Sequence, residues 1–176
     1  MALGTWNIDA SHSGIHFSIR HLVIAKVRGK FTKFSGALEL DEADLTKSKV
    51  NVEIDVASID TGEAQRDGHL KSPDFFDVEK FPKATFKSKS ITKSGESYDV
   101  TGDFTLHGTT KEITLHSTFE GKGKDPWGGE RVAFGAKTTI NREDFGLKWN
   151  QALEAGGVVV GTKAELEIEV EAVKAK

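Results

Sequence analysis

Near its end the chain sets Ala164, Leu166, Ile168, Val170 and Ala172 in strict alternation with Glu165, Glu167, Glu169 and Glu171. A period of two marks a strand whose two faces meet different surroundings. Four carboxylates cannot be crowded into a narrow barrel interior, where like charges repel strongly at low dielectric. The glutamates therefore face water and the apolar side faces inward, the reverse of a membrane barrel. The same alternation recurs in Val50, Val52, Ile54 and Val56, in Tyr98, Val100, Phe104 and Leu106 with Gly102 on their face, and in Ile113, Leu115, Ser117 and Phe119. It returns in Val132, Phe134, Ala136, Thr138 and Ile140, and in Ile15, Phe17 and Ile19 against His16, Ser18 and Arg20. Several antiparallel strands at short spacing with little helix define an all-β sandwich or a closed barrel.

Two stretches interrupt this pattern. In Ser58 to Pro82, the pair Ser72-Pro73 has the form of a helix start, with a capping side chain followed by a fixed φ. The turn it opens carries Phe75 and Phe76, and Arg66, Asp67 and His69 precede them. Ionisable groups beside large apolar rings suggest the mouth of a ligand site. The plainer alternative is a core plug next to a solvated Arg66–Asp67 ion pair. The second interruption, Asn141 to Gly157, holds Phe145, Leu147, Trp149 and Leu153 around a short helical piece with a Gly-Gly stop. Lys26 to Gly36 reads as turn-rich and basic, Gly121 to Gly129 as a loop, and His107 to Thr110 as the turn of a hairpin.

At 176 residues the chain is most simply one domain, 1–176, large enough for a sizeable core. A net charge of -3 gives no general attraction to nucleic acid. Cysteine is absent, which removes thiolate metal sites and cysteine nucleophiles. No apolar run approaches the ~20 residues of a membrane-spanning helix. The opening MALGTWNID lacks the basic and apolar regions of a leader, so a cytoplasmic location is expected, or a periplasmic one if a leader has been removed. His12 and His16 would lie ~13 Å apart along a strand, too far to share an ion, and the other histidines form no ligand motif. There is no G-x-S-x-G elbow, no dinucleotide fingerprint and no phosphate-cradling loop. These absences favour binding over catalysis, with no metal and no cofactor expected.

A last strand from Lys163 to Val173 would be ~36 Å long, or ~28 Å along the axis of a barrel with strands tilted by ~40°. That length suits an elongated tunnel better than a compact pocket. Eleven Phe against one Tyr supply apolar ring surface with almost no phenolic donors, which suits a ligand with few polar atoms. The chain then resembles the YceI-like family of lipocalin-like barrels. The likeness rests on WNID followed by His12-Ser13, on FSIRH (17–21), QRDGHLKSPDFFD (65–77), GDFTLHG (102–108) and INREDFG (140–146). DPWGGERVA and LKWNQALEAG are similar to members without a leader. The resemblance implies an extended eight-stranded antiparallel β-barrel with short helical insertions. Its tunnel would take a long-chain isoprenoid lipid such as a polyprenyl phosphate or an isoprenoid quinone, for transport or storage, and no catalytic residues come with it.

Each buried methylene contributes about 0.8 kcal/mol while association costs on the order of 4–15 kcal/mol, so a long tail is favoured over a short fatty acid. Alternation and position nominate Phe17, Phe86, Phe104, Leu106, Val132, Phe134, Ile168 and Val170 as tunnel lining. Phe75, Phe76, Leu147 and Trp149 would stand at its ends, and Arg20, Arg66, Asp67 and His69 would meet a head group. Two other readings compete. One is a closed barrel acting through its surface or as a homodimer, in which bulky neighbours fill the space left by Gly102 and Ala136. The other is an enzyme on lipid-soluble substrates, with Arg66, Asp67 and His69 as acid and base.

Overall fold

The computed structural model describes residues 3–21, 25–150 and 160–175. Eleven strand segments, β1 (Gly4–Ile8), β2 (Gly14–His21), β3 (Ala25–Phe31), β4 (Phe34–Leu40), β5 (Lys49–Asp55), β6 (Ile59–Asp60), β7 (Lys83–Ser94), β8 (Ser97–Leu106), β9 (Thr109–Lys124), β10 (Glu130–Asn141) and β11 (Val160–Lys174), build one sheet. They form eight staves, because β1 and β2, β3 and β4, and β5 and β6 are each one stave with a kink. Every stave pairs antiparallel with the next in sequence, and β11 closes the ring by pairing with both β2 and β1. The result is a closed eight-stranded antiparallel barrel, which leaves no full edge for aggregation.

The kinks are held by short side chains. Asp9 accepts from the Ser11 amide at 3.1 Å and opens a 3-10 turn over Ala10–His12. Ser58 Oγ accepts from the Lys33 amide at 3.0 Å and donates to the Asp55 carbonyl at 2.6 Å, tying the breaks of two neighbouring staves together. At the β8–β9 turn, His107 and Gly108 have φ of 54° and 73°. Positive φ at both central residues suits the right-handed twist of the flanking strands.

Alternation places the core correctly except at Phe119, which is 45% exposed beside a register irregularity between β9 and β10. Val100, Phe104 and Leu106 are buried on the inner face of β8, and Glu165, Glu167 and Glu169 are exposed on the outer face of β11. Four local expectations change. Lys26 to Gly36 is strand for most of its length, with Arg28 and Lys30 pointing outward between the inward Val27, Gly29 and Phe31. β9 runs on through Lys124, leaving only Asp125–Gly129 as a turn, since a partnered ladder satisfies the glycine backbone better than a loop does. β11 starts at Val160, earlier than its alternating core suggested. The helix lies before Ser72-Pro73: α1 spans Ala64–Lys71, capped by Glu63, and Ser72 ends it. Proline disfavours helical geometry in the residue before it, and Ser72 Oγ bonds the His69 carbonyl at 2.5 Å instead. Asn141–Phe145 does carry the expected helical piece as a 3-10 turn over Arg142–Phe145. Leu153 and the Gly-Gly stop lie outside the described residues.

The two ends of the barrel differ. One end carries α1 and the segment that follows β10. The other holds Trp6, Leu38, Leu40, Val132 and Ala172, all buried in one apolar cluster. Trp6 is fully buried, and Lys122 and Lys174 stand over its ring at 5.9 and 5.6 Å. Both lysines pair with Glu42 and Glu130. This end is plugged by a tryptophan under a lid of ion pairs.

Candidate functional site: a two-chambered apolar tunnel

Two cavities lie end to end inside the barrel. The inner one, about 160 Å³, is walled almost wholly by hydrocarbon, with Phe34, Phe86, Phe134, Ala136, Ile168 and Val170 among its lining. The outer one, about 220 Å³, lies under α1 and is bounded by Phe17, Phe75, Phe76, Leu106, Leu147 and Trp149. Phe31, Ile54, Phe104 and Leu166 line both and form the neck between them. Along β11 the lining runs from Val160 to Val170, a path of about 25 Å once strand rise and tilt are taken together.

Small residues shape the walls. An ideal Cβ on Gly102 would stand 2.4 Å from the Lys87 carbonyl oxygen and 2.7 Å from Phe86 Cζ. Phe86 therefore takes the space that Gly102 leaves, as a filled interior requires. Ala136 behaves differently and opens onto the inner cavity.

The polar groups gather at the outer chamber. His69 packs edge-on against Trp149 and Phe75, with ring centroids 4.8 and 5.1 Å away, and its Nε2 lies 3.1 Å from Asp74. Arg66 and Asp67 do not pair with each other. Arg66 donates from Nε to Thr61 Oγ1 and from Nη2 to the Thr61 carbonyl, both at 2.8 Å, while Asp67 accepts from the Thr61 amide and hydroxyl. Thr61 thus bridges them and turns Asp67 away from the chamber. Arg66, His69 and Arg20 line it; Asp67 does not. Val132 also falls outside both cavities, because it sits beyond Phe134 in the Trp6 plug. Every other nominated residue borders one chamber or both. Arg66 and Asp67 meet through Thr61 while His69 bonds Asp74, so the three side chains form no direct acid–base constellation.

Arg142 escaped the sequence reading. It is 4% exposed and borders the outer chamber. Asn141 caps the 3-10 turn that carries it, and Gly146, at φ 80°, ends that turn. Its guanidinium donates to the carbonyls of Gly161 (2.7 Å), Leu147 (2.5 Å) and Val160 (3.3 Å) and stacks on Phe75. Burial draws its pKa below the ordinary arginine value. The available signal was its place two residues beyond the inward-facing Ile140. The neck residues Phe31, Ile54 and Leu166 were equally unnamed, since alternation tells which side a residue takes but not where a cavity narrows.

On the outer surface, Asp9, His12 and Glu171 hold ligand atoms within 4.8 Å of one another, the one such group among the described residues. Arg131 already pairs with Asp9 at 2.9 Å and Glu171 at 3.8 Å, supplying the positive charge that the carboxylates need. Asp9 is accordingly held far below the usual carboxylate range, first by the Ser11 hydroxyl and then by Arg131 and His12.

Compared with known proteins, residues 6–172 match the YceI-like domain. The chain belongs to the YceI-like family. A UPF0312 protein of Pseudomonas putida is 43% identical over 169 residues, covering 96% of this chain and 84% of its own. One from Pseudomonas syringae pv. syringae is 45% identical over 141 residues, 80% and 73% of the two chains. Among solved structures, a YceI protein of Campylobacter jejuni superposes with a TM-score of 0.75 at 32% identity, covering 89% of this chain and 90% of that one. Burkholderia cenocepacia BcnA shares the fold with a TM-score of 0.82 at 24% identity over 93% and 98% of the chains. So does a polyisoprenoid binding domain from Saccharophagus degradans, with a TM-score of 0.70 at 18% identity over 98% and 99%.

Proposed function

We propose that this YceI-like barrel holds one long-chain isoprenoid lipid, its tail threaded through the neck into the inner chamber and its head at the outer one, for carriage or storage. The observation that carries this reading is the asymmetry of the two chambers: hydrocarbon walls toward the plugged end, cationic and ring nitrogen groups toward the other. An amphiphile has the same asymmetry. The Saccharophagus neighbour described as a polyisoprenoid binding domain agrees with that ligand class. A path of about 25 Å accommodates about 20 chain bonds, or five isoprene units, at the roughly 1.2 Å per bond of an extended chain.

No helix among the described residues is long and apolar enough to cross a membrane. Extraction of the purified protein with organic solvent, followed by mass spectrometry, tests the proposal. A stoichiometric isoprenoid lipid is the expected result. An empty extract, unchanged after incubation with excess quinone and polyprenyl phosphate, would refute it in favour of a barrel acting through its surface.

A further inference from the structure

Every charged residue that lines the outer chamber, among the described residues, is a cation. Arg20, Arg66 and Arg142 border it together with His69, and no aspartate or glutamate does. The chain as a whole has 24 Lys and Arg against 27 Asp and Glu, so a lining of one sign runs against its composition. Arg142 is the extreme case. Its three hydrogen bonds go to carbonyl oxygens, which offer partial dipoles. The opposite charge that acts on it, Glu143, forms no ion pair with it and offsets only part of the cost of burial. A guanidinium has five N–H groups in a planar fork, and a buried charge without an opposite partner is costly to keep. Arg66 is fixed on one side only: Nε and Nη2 are anchored to Thr61, and Nη1 has no protein partner among the described residues.

We infer that the outer chamber is an anion subsite, selecting an isoprenoid whose head is a phosphate or diphosphate over a quinone or alcohol with the same tail. This rests on the lipid-binding reading above and specifies its head group. A phosphate monoester carries about -1.5 to -2 charges at neutral pH and accepts the forked hydrogen bonds that arginine offers. The anion brings a directly bonded counter-charge to Arg142, which Glu143 does not supply, and engages the unoccupied side of Arg66. The walls of Phe75, Phe76 and Trp149 exclude water from that contact, which strengthens it.

The test measures equilibrium binding of geranylgeranyl phosphate, geranylgeraniol and menaquinone-4, all with 20-carbon tails, to the delipidated full chain. The phosphate should bind about tenfold to a hundredfold more tightly than the other two, the range for one charge-assisted contact. Arg66→Gln should lower phosphate affinity about tenfold and bring the ratio toward one. Arg142→Gln should do so more completely, with circular dichroism to confirm the fold. If that buried variant does not fold, the three-ligand comparison on the unaltered protein and Arg66→Gln still decide. Equal binding of all three ligands overturns the head-group inference and leaves lipid binding standing. Failure of all three to bind overturns both.

Discussion

Leu166→Trp closes the neck. Leu166 lies where the chambers meet, paired across the sheet with Phe17 on one side and Thr138 on the other. From Leu166 to Val170 the inner lining extends about 10 Å along the axis after tilt, enough for about eight chain bonds, or two isoprene units, at roughly 1.2 Å each. Ten carbons withdrawn from that space forfeit about 8 kcal/mol at 0.8 kcal/mol per carbon. Relief from ordering the tail returns about half. The net loss is about 4 kcal/mol, about a thousandfold in affinity. Two ligands with one head group, of 10 and 20 carbons, should be titrated against both proteins, with thermal melting to bound the overpacking cost of about 1–3 kcal/mol. The 20-carbon ligand should weaken about a thousandfold and the 10-carbon ligand, which fits the outer chamber, only a few-fold. An equal loss for both tails, or none for either, would refute the threading of the tail through this neck.

Three further outcomes are expected. Phe104→Glu or Phe134→Glu should abolish lipid retention in a folded protein, read by extraction and mass spectrometry, because an unpaired carboxylate in hydrocarbon surroundings is strongly disfavoured. Gly102→Ala should destabilise by about 1–3 kcal/mol in denaturant titrations, since its Cβ would meet the Lys87 carbonyl before it met a movable side chain. Asp9 has its folded pKa depressed, so the unfolded chain binds its proton more readily and stability falls as pH drops below about 4. Asp9→Asn should therefore melt lower than the parent at pH 7, with the difference shrinking toward pH 2. A constant difference would show that the ionised Asp9 carboxylate, held by Ser11, Arg131 and His12, is not its cause.

What the sequence revealed was parity. Inward and outward faces, the orientation of the glutamates and the hairpin at His107-Gly108 all follow from a period of two and from turn chemistry, both local properties. Depth along the barrel is not local. Val132 and Phe134 share a face, yet Val132 is buried within the Trp6 plug while Phe134, packed against the edge of that plug, lines the inner chamber. Asp67 was misplaced for a similar reason: its partner is Thr61, six residues away across the start of α1, and no pattern in the stretch itself selects that contact over Arg66. Arg142 was hidden because a charged residue after a strand usually marks its exit to solvent. Here the backbone of Val160 and Gly161 folds over it.

The tryptophan plug also has a kinetic consequence. With one end shut, a lipid held as proposed would arrive and leave by the same doorway, so the barrel could not act as a conveyor that takes cargo in at one side and expels it at the other. Each exchange must pass through an empty barrel. The rate at which a bound lipid departs is then set by the barrel alone and does not rise with the concentration of its replacement. Net flow of cargo between two membranes would follow their difference in lipid content, with no direction imposed by the protein.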